Sequence, residues 1–241
     1  MAADTPVLSH VSPALDPETY RVEGYNDDTR QFVDCVVNAF SNIYQTAGKA
    51  HEARRAADRN PGWTDEQRVL IVSKEIEGAR QRAVTRLANA ERDLRANIAH
   101  TEKLLSEPLT ERAGLGSLNG EVRAFARGLD RAERTKLITE ALANDDEMTL
   151  TAILGAQPFL SGLSQVDKDH YLRLFHEKKN PHLVRRLDVM NRVLEKLERN
   201  GPVVQLQFEK AIGAKPSVVA NLNRLEGEAK AALAELKAER A

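Results

Sequence analysis

The side chains best suited to metal ligation or nucleophilic attack in this chain are six histidines, His10, His51, His100, His170, His176 and His182, and one cysteine, Cys35. A zinc centre needs pairs at spacings such as His-Glu-x-x-His, which aim two ligands at one point. No such spacing occurs. His170, His176 and His182 recur every six residues, a step that carries them around a helix instead of along one face. Cys35 lies beside an apolar stripe with no base near it in sequence, and reads as a small core residue. Asp145-Asp146-Glu147 offers three carboxylates, but consecutive side chains diverge and no ligand-spaced loop follows, so helix capping explains them better. Gly114-x-Gly116 follows a helical pattern, not a strand, and lacks the lysine of a phosphate loop. There is no Gly-x-Ser-x-Gly. The expectation is a protein with no catalytic residue, no cofactor and no metal, hence not an enzyme.

The elements that would position any site are helices. Pro61-Gly62 and Pro108 bound a proline-free stretch from Thr64 to Ser106, opened by the capping-box pattern Thr64-Asp65-Glu66-Gln67. Small or apolar residues then recur at Val69, Val72, Ile76, Ala79, Ala83, Leu87, Ala90, Leu94, Ile98, Thr101 and Leu105, ten steps over 36 residues. That is the period of a straight α-helix about 64 Å long. Asp27-Asp28-Thr29 opens a preceding helix to about Asn60, with Phe32, Val36, Ala39, Phe40, Ile43, Ala47, Ala50, Arg54 and Ala57 inward. The short turn between the two predicts an antiparallel hairpin over 28–107. Residues 1–27, interrupted by Pro6, Pro13 and Pro17, read as an irregular arm, either loose or ordered against a neighbouring subunit.

The glycines between Pro108 and Gly120 mark a linker over 108–120. Shorter helices follow over 121–212, with starts at Asp130 (a second capping box), Asn144-Asp145-Asp146, Ser164 and Asn180-Pro181. The helix from Pro181 carries Leu183, Leu187, Met190, Leu194 and Leu197 and is expected to end at Asn200-Gly201-Pro202. Ser217 is expected to cap a last helix within 213–241, whose Val218, Leu222, Leu225, Ala229, Ala232 and Leu236 alternate steps of four and three. No strand is predicted. The fold class is therefore all-α: a long antiparallel helical hairpin, a compact bundle of shorter helices and a C-terminal heptad helix.

Composition narrows the partners. Lys and Arg (35) nearly balance Asp and Glu (36), so no whole-chain field favours nucleic acid or an anionic membrane. No apolar run is long enough to span a bilayer, and the N-terminal residues lack a basic-then-apolar leader pattern. One cysteine excludes an intrachain disulfide framework and fits a reducing compartment such as the cytoplasm. Residues 165–200 hold nine basic and six acidic side chains, so a DNA-binding regulator using 165–186, with Lys178, Lys179, Arg185 and Arg186, is the alternative function.

The overlong helix and the two heptad seams instead predict contacts with further copies of the chain and with another structural protein. Val69, Val72, Ile76, Leu87, Leu94, Ile98, Leu187, Leu194, Leu222, Leu225 and Leu236 are the expected interface residues. One stretch adds to this. Leu142-Ala143-Asn144-Asp145-Asp146, Ala152-Ile153-Leu154-Gly155-Ala156 and Phe159-Leu160-Ser161-Gly162-Leu163 together resemble a segment of uncharacterised proteins encoded beside tailed-phage head genes. The resemblance implies a virion component or a scaffold-like assembly protein, and assigns no functional residue.

Overall fold

The computed structural model describes Leu8, residues 10–110 and residues 116–238. It is all-α among these residues. The helices are α1 (Arg30–Asp58), α2 (Asp65–Leu104), α3 (Gly116–Gly128), α4 (Arg131–Ala143), α5 (Glu147–Leu154), α6 (Gln165–Lys179), α7 (Pro181–Ile212) and α8 (Pro216–Ala238). Three short 3₁₀ turns, Pro13–Leu15, Pro17–Tyr20 and Pro158–Ser161, accompany them. Contacts divide the chain into two compact units, Met1–Ala96 with Val189–Ala241, and Asn97–Asp188. The divisions fall inside α2 and α7, unlike the boundary expected at 108–120 and the separate hairpin of 28–107. Each long helix buries residues in both units, because its stripe outruns what one small core can cover.

In the first unit α1 and α2 pair as an antiparallel hairpin. Ala57 and Val72 share one cleft near its turn, while the Cys35 Sγ lies 3.8 Å from the Ala90 carbonyl near its other end. The α2 start follows its local code: Gln67 N–H donates to Thr64 Oγ1 at 3.3 Å and Thr64 N–H to Gln67 Oε1 at 3.0 Å. The first-unit core joins Val36, Phe40 and Ile43 of α1, Ile76 and Leu94 of α2, and Val193, Leu197, Val204 and Phe208 of α7, all buried.

The N-terminal arm is neither loose nor set against a neighbouring subunit from Val11 onward, because its apolar residues find cover on their own chain. Val11, Leu15, Tyr20 and Val22 are buried, and the Tyr20 ring stacks on Phe40 with centroids 3.9 Å apart. Lys196 of α7 donates to the Thr19 carbonyl at 2.9 Å. Thr29 precedes α1 without capping it, since its hydroxyl donates to the Gly24 carbonyl at 2.8 Å.

Two expected breaks are helical. Pro202 lies inside α7, which continues to Ile212. An interior proline costs about 3 kcal/mol through its missing amide and its ring clash. The buried Val193 and Leu197 before it and Val204 and Phe208 after it share one core, and each such side chain is worth about 1.5–3 kcal/mol. Burial therefore outweighs the proline. Residues 116–120, expected to be linker, form the first turns of α3, where Asn119 is buried. Gly114 lies outside the described residues. The last helix starts at Pro216, with Lys215 O accepting from the Val218 and Val219 amides, so Ser217 is not its cap.

The second unit is built on Ala126, Ile138, Ala141, Leu150, Ile153 and Leu154, with Leu163, Tyr171 and Phe175 packed around them. Its later helix starts, at α4, α5 and α6, are the predicted ones. Asp130 with Glu133, and Ser164 with Asp167, form capping boxes, and Asp146 accepts from the Thr149 amide.

Candidate functional site

The expected interface residues separate into two groups. Val72, Ile76, Leu94 and Leu187 are buried by their own chain, which leaves nothing of them for a second copy to cover. Val69, Leu87, Ile98, Leu194 and Leu222 are half-buried, and a Cβ on Gly201 of α7 would stand 3.5 Å from Leu87 Cδ2. The α2 and α7 seams are thus largely internal, because a stripe at helical period states that a face is covered but not by which chain.

Leu225 and Leu236 of α8 behave differently. They are 45% and 53% exposed, and Val218 (46%) and Leu233 (58%) lie on or beside the same stripe. The rest of α8 is held by polar contacts. Glu226 pairs with Lys74 of α2 and, at 2.9 Å, with Lys230, while Arg224 reaches Glu228 at 2.5 Å. The Lys74 ammonium, then that of Lys230, holds the Glu226 carboxyl below its ordinary pKa. A groove of about 520 Å³ runs beside α8, with Ile212, Pro216, Val219 and Ala220 on one side and Lys74, Glu77 and Arg80 on the other. Arg80 is committed to Glu77, whose carboxyl it lowers through hydrogen bonds of 2.8 and 2.5 Å. The groove's cations are therefore internally paired, and its lining mixes apolar side chains with Ser73, Gln205, Glu209 and Asn223.

The second unit also exposes Phe125, Phe159 and Val166. Three basic residues of α6 are occupied. Lys178 donates to the Leu142 and Ala143 carbonyls at 2.6 and 2.9 Å, closing the end of α4, and pairs with Asp145 at 3.2 Å. Lys179 bridges Asp145 and Glu147, and Arg173 binds Glu102 and Glu177. Phosphates would have to displace these carboxylates. Asp145 is held below its ordinary pKa by Lys178 first and Lys179 second.

The residues with chemical potential are held in structural roles. Burial pushes the Cys35 thiol up, away from the thiolate a nucleophile needs. Asp145, Asp146 and Glu147 serve as ion-pair partner, cap and ion-pair partner, and among the described residues no group of three His, Cys, Asp or Glu is placed to hold a metal. Among the described residues no helix is long and apolar enough to cross a membrane. His176 Nε2 meets the Glu107 carbonyl at 2.7 Å.

Two arrangements escaped the sequence. Arg134 donates to four carbonyls, Ala126 (2.8 Å), Arg127 (3.4 Å), Leu129 (2.6 Å) and Gly162 (2.7 Å), gathering the end of α3 and the 3₁₀ turn at Pro158–Ser161. Gly162, at φ +71, stands against that guanidinium: a Cβ there would lie 2.9 Å from Arg134 Cζ. The other is a knot of His10, His51 and Gln207, whose one sequence signal is a glutamine on the inward stripe Val204, Phe208, Ala211. Comparison with protein-family models, curated proteins and solved structures finds no match.

Proposed function

We propose that this chain is a non-enzymatic assembly protein that works through helix-mediated contacts with copies of itself and with another structural protein. The observation that carries this reading is α8, which keeps Val218, Leu225 and Leu236 of its 4-3 stripe exposed, while the other seams are spent inside the chain. Each leucine taken from water into an interface contributes about 1.5–3 kcal/mol. A stripe of this size on a body that already has a core suits association between copies better than recognition of a small polar substrate. The resemblance carried by the segment from Leu142 to Leu163 supports a role as a tailed-phage virion or scaffold-like component, active in host cytoplasm or particle.

Light scattering across micromolar concentrations, at low and high salt, tests the reading. Apolar association gives a mass above that of one 26.8 kDa chain, little changed by salt. A single-chain mass at every concentration would overturn it.

A further inference from the structure

We propose that His51 and Gln207 form an acid-released latch that fastens the start of the N-terminal arm, at His10 and Ser12, to α1 and α7. Gln207 is only 4% exposed, and its carboxamide has one allowed orientation. The Ser12 amide can only donate, so the atom it meets at 3.1 Å is Oε1. The two hydrogens of Nε2 then go to the His10 carbonyl at 2.9 Å and to His51 Nε2 at 2.7 Å. His51 must therefore present a lone pair at Nε2. Its ring is neutral, with the proton on Nδ1.

Protonation turns that acceptor into a donor and sets N–H against N–H. Turning the carboxamide over does not help, because it would break the bonds to Ser12 and to the His10 carbonyl. The groups facing His51 do not compensate either. They are His10 of the arm, with ring centroids 5.2 Å apart, Arg55 of α1 and Lys210 of α7. Arg55 and Lys210 are cations, which disfavour a second positive charge on His51. Burial first, and then these three, hold the His51 pKa below its ordinary 6.5.

The direction of the effect follows. A histidine whose folded-state pKa is depressed contributes an attachment fully present above 6.5 and lost as pH falls from there toward the folded-state value. The freed length is short. The Leu8 amide donates to Tyr44 Oη at 2.8 Å and the Leu8 side chain covers Gly48, so this face of α1 is uncovered. Leu15 and Tyr20 are completely buried and keep the rest of the arm in place.

Hydrogen exchange of the Ser12 amide, corrected for its intrinsic rate, tests the latch at about pH 7.5 and about pH 5. The wild-type protein should lose protection at least about threefold in acid. His51→Gln offers an acceptor that does not titrate, and should hold the same protection at both pH values. Unchanged wild-type protection, or an equal acid loss in His51→Gln, overturns the proposal. If the variant leaves the arm loose at both pH values, NMR titration of the wild-type protein decides. The His51 ring and the Ser12 amide must then share one midpoint below 6.5. A His51 midpoint at or above 6.5, or a Ser12 amide whose midpoint differs from that of His51, overturns it.

Discussion

Arg134 shows how one side chain can organise a unit without touching its apolar core. Its guanidinium supplies donors to four carbonyls at helix and turn ends, groups that no backbone amide reaches. Arg134→Met keeps the stem and removes the donors. The expected cost is about 2–3 kcal/mol in urea unfolding, and lysine should recover only part of it, having one nitrogen for four acceptors. Asp146 makes a smaller, pH-dependent contribution. The Thr149 hydroxyl at 2.6 Å, then the Thr149 amide at 3.1 Å, hold its carboxyl below the ordinary 3.8. A depressed carboxyl contributes stability that is present above 3.8 and lost as pH falls toward the folded-state value. Asp146→Asn should therefore flatten the acid side of the urea-midpoint profile while changing little near neutral pH, where its side-chain oxygen still caps. Asp146 is also where the sequence was most readable. Caps are set by residues three apart, as are the boxes at Thr64, Asp130 and Ser164, and local chemistry decides them. Arg134 and Gln207 gave no comparable sign, because their partners lie on other elements.

At the scale of elements, α7 holds the clearest conflict between local and tertiary terms. Pro202 removes the amide that would reach the Glu198 carbonyl, yet the helix runs through it because side chains before and after share one core. Pro202→Ala should therefore raise stability, by about 1–3 kcal/mol, read as a higher urea midpoint with an unchanged slope. An unchanged or lower midpoint would mean that the proline shapes α7 in a way the core requires. The sequence placed a helix end here because proline is a local signal and burial is not. The arm teaches the same lesson in reverse: proline at three positions predicted irregularity, and Leu15 and Tyr20 are nonetheless completely buried. The α2 and α7 stripes were read as faces for another chain, and Val72, Leu94 and Leu187 are covered from within. Hydrophobic period carries no information on which chain supplies the cover.

At the scale of the whole molecule, the account rests on α8 as the surface left for another chain. Most of its length is exposed, its polar side is laced with i,i+4 pairs, and its apolar stripe has no cover among the described residues beyond the groove wall. Sedimentation equilibrium on the wild-type protein and on the double variant Leu225→Glu, Leu236→Glu tests this most directly. Both leucines are exposed, so the variant should keep its helix content by circular dichroism. The account predicts a wild-type mass of two or more chains at micromolar concentration and a single-chain mass for the variant. A single-chain wild type, or a variant that keeps the wild-type mass, would contradict it.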